Sequence, residues 1–427
     1  MQYSSLILQT DLSADRSQPE KCYDLAIIGA GISSAYTLIH YIELLDQQSA
    51  TSEIEPTSHN SDRQQQPVKI IVTEKSGDFW TGIPYGSRSG HSSLLISPLI
   101  EFIPQQLERE YFVEWLNTNC DWLFDPKEYS KGELTSKWLQ ANQAAIAQGL
   151  WDNLFIPRHI FGLYLKQRIA TLLQVATTKG LIDIDLITAD VMDIQRVGVA
   201  SAVRNQDLYR VDFTTAENDT YFTAKKLVLA IGSPPNMAFE RAADDVESDL
   251  CYIDNMYEPS LDFNIDRICK SLEHQSDRQI LIVGSNAGTL DTLYSLNNSR
   301  TITNLVDKFI ILSPNAAFPH RISSGAIEIV YTPQHLVALL QQLESFTAKQ
   351  IFEAVQQDVA DATAENINIS DIHTDISKVV IQALNRLDFG EQQQFVSRYA
   401  VEIGKLQRRA GGEYLDVVNE LITQQKL

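Results

Sequence analysis

The stretch Asp24–Ser34, which reads DLAIIGAGISS, decides the fold of this chain. An apolar run, Leu25–Ile28, has the length of a buried strand and leads directly into the turn Gly29-Ala30-Gly31. Apolar residues then recur with helical spacing from Ile32 to Leu45. A strand, a glycine turn and a helix in this order are the fingerprint of a dinucleotide-binding βαβ unit.

Each glycine of the turn has its own role in that interpretation. Gly29 allows the tight turn, and Gly31 lets the backbone approach a pyrophosphate that a Cβ atom would obstruct. The start of the helix then offers free N–H groups and a positive dipole end to the phosphates. Ser34 stands where a third glycine is usual. A tight strand-to-helix turn without a ligand would show the same pattern, so the glycines alone do not decide the matter.

An acidic residue at the end of the next strand strengthens the case for a nucleotide. Val68–Thr73 is a strand candidate and Glu74 follows it, 43 residues after Gly31. The 22 residues Asp46–Pro67 are rich in Gln, Ser and Thr, and they predict an exposed insertion. Without the insertion the spacing falls to 21 residues, close to the ~20 at which an acid binds the ribose of a dinucleotide.

Composition excludes several classes of partner. The chain has 427 residues and a formal net charge of −21, which disfavours nucleic acids and anionic membranes. The four cysteines are scattered without a C-x-x-C pair or zinc spacing, so neither a dithiol redox centre nor a metal site is expected. With no signal peptide and no apolar run near 18 residues, we expect a cytoplasmic protein with a small-molecule partner; the sequence does not indicate an oligomeric state.

The order of elements predicts an α/β fold with two Rossmann-like dinucleotide-binding lobes and a helical C-terminal region. We expect a flexible N-terminus at 1–20 and an FAD-binding domain at 21–240. A second lobe is expected at 241–332, where a strand–glycine–helix pattern begins at Gln279, and a helical region at 333–427. Residues 181–231 predict an antiparallel β segment that ends in a buried strand.

Five motifs carry a resemblance to a known family: IIGAGISS (27–34), VTEK (72–75), GIPYG (82–86), IPRHIFGLYL (156–165) and LVLAIGSPP (227–235). With them the chain resembles the FAD/NAD(P)-binding oxidoreductases of the two-dinucleotide-domain type, a group reminiscent of flavin N-hydroxylating monooxygenases. The resemblance implies FAD at the first site.

The resemblance also implies which residues bind the cofactor: Gly29, Ala30, Gly31, Ile32, Ser33, Glu74, Lys75, Trp80, Arg158, Val191, Ile231 and Gly232. Glu74 would hold the adenosine ribose, and Val191 would meet the adenine through its backbone. Ile231 and Gly232 would line the flavin side. The rings of Trp80 and Tyr85 are candidate flavin neighbours, with core packing as the alternative.

Two side chains are candidates for catalysis under the same resemblance. His91 follows a loop that the family places near the flavin, where it could donate to a substrate; a structural or solvated role is the alternative. Arg158 is a candidate for contact with the phosphates or the flavin ring. His159 is expected to cap a helix or lie at the surface.

The chain departs from the family pattern at the second lobe. Asn286 stands where the middle glycine belongs, and Ser313 follows the next strand in place of an acid or an arginine. NAD(P) binding and a ligand-free turn both stay open there. A late strand that returns to the FAD domain in many relatives is not found after residue 335.

These observations favour an FAD-dependent oxidoreductase, a monooxygenase acting on a small metabolite with NAD(P)H as electron source. The alternative is a flavin-binding accessory protein with a degenerate nicotinamide site. A plain NAD-dependent dehydrogenase is permitted by Glu74, but the motifs at 156–165 and 227–235 argue against it.

Overall fold

The computed structural model describes residues 21–54, 66–199, 206–216, 218–233, 250–314, 317–322, 330–342, 345–406 and 408–427. The predicted flexible N-terminus and residues 55–65 of the predicted insertion lie outside these ranges. The chain divides into two compact units. Unit 1 comprises Met1–His91, Arg158–Ser248 and Tyr252–Asn264, and unit 2 comprises Ser92–Pro157, Asp249–Cys251 and Ile265–Leu427.

The strands are β1 Cys22–Tyr23, β2 Leu25–Ile28, β3 Val68–Glu74, β4 Ile182–Thr188, β5 Asp190–Val199, β6 Gln206–Thr214, β7 Asp219–Ala224, β8 Leu227–Leu229, β9 Gln279–Val283, β10 Lys308–Leu312, β11 His320–Arg321 and β12 Arg409–Ala410.

The helices are α1 Ile32–Ile54, α2 Gly82–Tyr85, α3 Leu99–Phe102, α4 Gln106–Leu123, α5 Pro126–Tyr129, α6 Glu133–Ala147, α7 Arg158–Thr178, α8 Leu261–Glu273, α9 Ala287–Asn298, α10 Arg300–Leu305, α11 Gln334–Gln341, α12 Ala348–Ala364, α13 Ile369–Leu384, α14 Phe389–Gln394, α15 Ala400–Leu406 and α16 Gly412–Thr423. A 3₁₀ turn covers Ser87–Ser89, and a π-helical turn covers Phe395–Tyr399. Among the described residues, no helix combines the length and the apolarity needed to cross a bilayer.

A parallel sheet with the order β4-β3-β2-β8 forms the centre of unit 1. All four residues of β2 are buried because both faces of the sheet are covered. Leu25 and Ile27 pack on the side that carries α1 and α7, whereas Ala26 and Ile28 pack toward the second sheet of the unit. This alternation explains why the strand is apolar throughout.

The second sheet of unit 1 has the order β1-β7-β6-β5, in which β5, β6 and β7 are antiparallel. The antiparallel segment expected at 181–231 is therefore present for β5, β6 and β7, but wrong for β4, which pairs in parallel with β3 in the first sheet. The prediction that it ends in a buried strand is wrong, because β8 leaves this sheet and pairs in parallel with β2. Leu229 at its end is 59% exposed, since β8 lies at the edge of the parallel sheet.

Helix α1 is longer than its apolar pattern predicts. It runs to Ile54, nine residues beyond Leu45, and so enters the segment that we expected to be an exposed insertion. No glycine or proline interrupts 46–54, and a polar composition suits an exposed helix as well as a loop. The carboxylate of Asp46 also accepts a hydrogen bond from the Lys179 ammonium at 2.7 Å, which joins this end of α1 to the chain after α7.

Unit 2 contains the second βαβ element and the helical region. β9, α9, α10 and β10 follow one another, and the two strands pair in parallel with Leu312 opposite Val283. From α11 onward, a core of apolar side chains from α11–α15 forms a helical region. The α/β fold with two Rossmann-like elements and a helical C-terminal region is thus confirmed. The predicted boundary at residue 240 lies outside the described residues, so the division into domains stays a proposal.

A buried carboxylate organises that helical region. Asp358 on α12 is 1% exposed, and its two oxygens accept hydrogen bonds from the backbone N–H groups of His335 (2.9 Å) and Leu336 (3.0 Å). These N–H groups lie in the first turn of α11, where no intrahelical acceptor exists. Asp358 therefore joins the start of one helix to the middle of another.

We expect Asp358→Ala to lower the free energy of unfolding by about 2–4 kcal/mol, because two buried N–H groups would lose their acceptors. Asp361→Asn is the matched control on the same helix, since that carboxylate is 62% exposed. It should change stability by less than about 1 kcal/mol. Urea unfolding measures both, and equal effects of the two substitutions would contradict the role assigned to Asp358.

Candidate functional site

The glycine turn after β2 packs directly against the end of β8. Gly29 has a φ of +87°, and a Cβ atom there would lie 2.4 Å from the carbonyl oxygen of Ala230. Both facts require glycine at this position. Ser34, fully buried, donates a hydrogen bond from its hydroxyl to the Gly29 carbonyl. The serine in the third-glycine position thus fixes the turn.

The fold restricts the choice of residue at Gly31 less than it does at Gly29. A Cβ atom at this residue would meet the Cα of Gly82 at 3.7 Å, an ordinary van der Waals distance, and its φ lies outside the left-handed region. The protein alone therefore accommodates a side chain of one carbon at Gly31. Any requirement for glycine there must come from a ligand.

The first turn of α1 has backbone donors without intrahelical acceptors. The backbone N–H of Ala35 makes the first bond of the helix, to the Gly31 carbonyl at 3.0 Å. The N–H groups of Ile32, Ser33 and Ser34 precede it and have no intrahelical acceptor. Ser33 is exposed and Ile32 is half-buried. This helix start is a suitable position for an anionic group.

The carboxylate of Glu74 lies against the glycine turn. One oxygen accepts the Ala30 N–H at 2.9 Å, and the other accepts the N–H (3.0 Å) and the hydroxyl (2.7 Å) of Ser76. A carboxylate offers about four acceptor positions, so the oxygen beside Ala30 retains capacity for one more donor. The Ala30 N–H itself is engaged by Glu74. This N–H therefore positions the Glu74 carboxylate. The N–H groups of the residues after Ala30 are the ones that remain to donate to a phosphate.

The segment 78–87 also touches the turn, through Trp80. The backbone N–H of Trp80 donates to the Ala30 carbonyl at 2.5 Å, and Trp80 has a φ of +79°, which is strained for a bulky side chain. Its ring is 5% exposed and packs in the core beside Phe79. Trp80 therefore contacts the turn through its backbone. Its ring packs in the core, which was the alternative to a position beside the flavin.

Asp78 holds that segment in place. Its carboxylate accepts hydrogen bonds from the N–H (3.0 Å) and hydroxyl (3.1 Å) of Ser87 and from the ammonium of Lys166 on α7. These bonds outweigh the opposing effect of burial and lower the pKa of Asp78. Tyr85, the other aromatic candidate, packs edge-on against Phe161 with ring centroids 5.3 Å apart.

His91 and Arg158 belong to a separate cluster of unit 1. A guanidinium nitrogen of Arg158 donates to the Tyr257 hydroxyl at 3.1 Å, and the guanidinium carbon lies 5.5 Å from the centre of that ring. The exposed His91 stacks on His159 with centroids 4.6 Å apart. Nδ1 of His159 is enclosed and has no hydrogen-bond partner in the described part of the chain. Burial, with a contribution from His91, lowers the pKa of His159 to about 3.

The remaining predicted cofactor residues lie in different surroundings. Ile231 is 68% exposed, and its Cα would lie 3.3 Å from a Cβ at Gly29, which puts the 227–235 motif beside the glycine turn. Gly232 follows with a φ of +72°. Val191 lies on β5 at an irregularity in the pairing with β6 and is half-buried. Lys75 is ion-paired with Asp190 at 2.7 Å.

The second glycine element of unit 2 is built differently. Gly284 has a φ of +111°, as a tight turn requires, but Asn286 occupies the N-cap of α9. The Asn286 carbonyl accepts the N–H groups of Thr289 (2.9 Å) and Leu290 (3.1 Å). Its side chain makes no capping hydrogen bond within the described residues. This turn therefore has glycine geometry at one position and a side chain at the position that a pyrophosphate approaches.

The structure thus brings together the glycine turn, Glu74, the backbone of Trp80 and the motif around Ile231. Sequence reasoning missed the hydroxyl of Ser34, the Ser76 donors and the Tyr257 partner of Arg158. The Arg158–Tyr257 contact joins residues 99 apart and is set by tertiary position, so no sequence pattern indicates it, whereas Ser76 lies two residues after Glu74. In the described ranges no group of three or more His, Cys, Asp or Glu side chains is placed to hold a metal ion.

Residues 26–234 match the family described as FAD-NAD(P)-binding. That segment contains the glycine turn, Glu74 and the parallel sheet, so the resemblance seen in the sequence is confirmed for it, with FAD and NAD(P) as the class of cofactor. This part of the chain is an FAD-NAD(P)-binding domain.

Over 404 residues the chain is 29% identical to uncharacterised proteins of Mycobacterium bovis and Mycobacterium tuberculosis, an alignment that covers 93% of this chain and 70% of theirs. Among solved structures it is similar to an ornithine N-hydroxylase of Kutzneria sp. 744, with a TM-score of 0.36, 12% identity, and coverage of 92% of this chain and 71% of that one. It is also similar to a cadaverine monooxygenase of Erwinia amylovora, with a TM-score of 0.39, 12% identity, and coverage of 95% and 66%.

Substitutions at the two glycines should separate folding from ligand binding. We expect Gly29→Ala to lower the free energy of unfolding by at least about 2 kcal/mol, because the methyl group meets the Ala230 carbonyl at a positive φ. Gly31→Ala should stay within about 1 kcal/mol of the original protein. Urea unfolding of ligand-free protein is the measurement, and a large loss for Gly31→Ala would contradict the packing described for it.

We expect His159 to lower the free energy of unfolding as the pH falls. Its pKa is lowered to about 3 in the folded protein, against about 6.5 in an unfolded chain. As the pH falls below 6.5, the unfolded chain takes up a proton that the folded protein does not. Unfolding then becomes easier by at most about 1.4 kcal/mol per pH unit, until about pH 3. His159→Phe keeps a ring against His91 and should flatten the difference in urea stability between pH 7 and pH 5. An unchanged difference would show that His159 does not carry it.

Proposed function

We propose that this protein is an FAD-dependent oxidoreductase of the monooxygenase type, which acts on a small metabolite and takes electrons from NAD(P)H. The observation that carries the proposal is the Glu74 carboxylate held 2.9 Å from the glycine-turn N–H of Ala30, inside a segment that matches the FAD-NAD(P)-binding family. A cytoplasmic location and the division into 21–240, 241–332 and 333–427 belong to the same proposal.

The residues around the turn suit a dinucleotide. The N–H groups of Ile32 and Ser33 lie in the first turn of α1 and would hold the diphosphate. Glu74 would accept a ribose hydroxyl at its remaining position, while Ala30 and Ser76 keep the carboxylate in place. When bound, FAD supplies the hydride and oxygen chemistry, and the protein contributes position and local charge.

The cluster around Tyr257 supplies the candidate groups for work on a substrate. We assign Arg158 the role of a fixed positive charge, because Tyr257 both hydrogen-bonds to it and lies against it. His91 is exposed, so it is our candidate proton donor to a substrate. The half-buried His159 ring supports His91 by stacking, and its lowered pKa keeps it neutral.

One observation favours a second function. Asn286 fills the middle-glycine position of the second element and caps α9 through its backbone. A protein with such a turn could hold a flavin and yet not accept a nicotinamide nucleotide. The second candidate is therefore a flavin-binding accessory protein with a degenerate nicotinamide site.

Absorption spectra of the purified protein test both candidates. We expect a yellow protein, or one that becomes yellow with added FAD, that NADPH or NADH bleaches in the absence of oxygen. A yellow protein that neither nucleotide bleaches would support the accessory function. A colourless protein that does not take up FAD would overturn both.

Variants then test the assigned cradle. Glu74→Gln should weaken FAD binding by about tenfold or more, since it removes a charged acceptor for the ribose. Gly31→Ala should weaken it as well, although the ligand-free fold tolerates the methyl group. Glu43→Gln on the exposed face of α1 is the matched control and should leave FAD affinity unchanged. Equal FAD affinity for Glu74→Gln and the control would exclude Glu74 from the site.

A further inference from the structure

The first residue of α2 packs against the glycine turn of unit 1. A Cβ atom at Gly31 would meet the Cα of Gly82 at 3.7 Å, and a Cβ atom at Gly82 would meet the Cα of Gly31 at 3.4 Å. The two glycines therefore lie backbone against backbone. Two residues earlier, the N–H of Trp80 fixes the same contact, because it donates to the Ala30 carbonyl at 2.5 Å. The position of this backbone thus sets the room that a diphosphate would find beside Gly31.

Helix α7 supports this segment with two residues that lie one turn apart. A Cβ atom at Gly162 would lie well inside van der Waals contact of the Tyr85 carbonyl oxygen, so the helix and the segment touch through their backbones. Lys166 follows four residues later, on the same face of the helix. Its ammonium group pairs with the Asp78 carboxylate. The helix thus contacts the segment 78–87 at its start and near its end.

The Asp78 carboxylate closes the segment into a loop. One oxygen accepts the N–H (3.0 Å) and the hydroxyl (3.1 Å) of Ser87, and the other accepts the ammonium group of Lys166. Both oxygens are engaged, and the side chain is only 17% exposed. The carboxylate therefore joins the two ends of the loop that carries Trp80 and Gly82, and it joins both ends to α7.

The Asp78–Lys166 pair also balances charge near the turn. Burial alone would raise the pKa of Asp78, yet the hydrogen bonds from Lys166 and Ser87 lower it, so the carboxylate is ionised at neutral pH. Asp78 lies two residues before Trp80, which contacts the turn. An unpaired carboxylate at this position would repel a diphosphate, and the Lys166 ammonium group offsets that repulsion.

We propose that Asp78 is a positioning residue for the cofactor: paired with Lys166, it holds the loop 78–87 so that the backbone at Trp80 and Gly82 stays against the glycine turn. Loss of the pair frees this backbone, and the diphosphate loses one side of its binding site. Neither Asp78 nor Lys166 belongs to the five motifs that carry the family resemblance. The inference rests on the proposed function in that FAD is the ligand of the turn.

The FAD affinity of the full chain, measured by flavin fluorescence, tests this role. We expect Asp78→Asn and Lys166→Met each to weaken FAD binding about fivefold or more, because charge-assisted hydrogen bonds hold the loop. The double variant should match the weaker single variant to within about twofold, since the two residues act as one unit. Lys166→Arg keeps the charge and should recover most of the affinity that Lys166→Met loses.

Lys179→Met is the matched control. It breaks the exposed pair of Lys179 with Asp46 (2.7 Å), which joins the end of α1 to the chain after α7 in the same unit. It should change FAD affinity less than about twofold.

Two further measurements separate positioning from folding. In ligand-free Asp78→Asn, peptides that contain Trp80 should take up deuterium faster, whereas peptides from β2 and β3 should not change. Circular dichroism verifies that each variant is folded. If the original protein binds FAD and the Asp78, Lys166 and Lys179 variants bind it equally well, the inference is overturned and the proposed function stands. If the original protein takes up no FAD, both are overturned.

Discussion

The hydrogen bond from the Ala30 N–H to the Glu74 carboxylate is the contact on which the arrangement of unit 1 depends. It joins the turn after β2 to the last residue of β3. On the other side of the same turn, Gly29 packs against Ala230 at the end of β8, with no room for a side chain. Three neighbouring strands are therefore fixed to one another at their carboxyl ends, which is where open parallel sheets bind ligands.

Patterns with a strong period were predictable from the sequence. The strands expected at Leu25–Ile28 and Val68–Thr73 match the bounds of β2 and β3 to within a residue, because apolar side chains dominate both runs. Glu74 could also be found, since it closes an apolar strand once the polar segment is set aside. The end of α1 could not be predicted, because residues 46–54 are polar in composition. Exposed helices and exposed loops share such a composition.

Side-chain partners were the part of the site that sequence could not supply. Ser34 was interpreted as a small residue in a glycine position, yet it makes a hydrogen bond that only the closed turn reveals. Trp80 was a candidate flavin neighbour because of its ring, whereas the structure brings its backbone to the turn and its ring to the core. His159 was expected at a helix start or at the surface. Its contact with His91 joins a loop to α7, and such tertiary pairs leave no trace in local spacing.

The two strand–turn–helix elements share a local fold but differ in the side chains that surround the turn. Both have a glycine with positive φ after the first strand, at Gly29 and Gly284. They differ at the end of the second strand. β3 ends in Glu74, whose carboxylate accepts a hydrogen bond from the turn, whereas Ser313 follows β10. An acid beside the turn can orient a ribose hydroxyl, and the second element has Ser313 after β10 instead. The chemistry at the end of the second strand, together with the side chain at the middle of the turn, therefore distinguishes the two lobes.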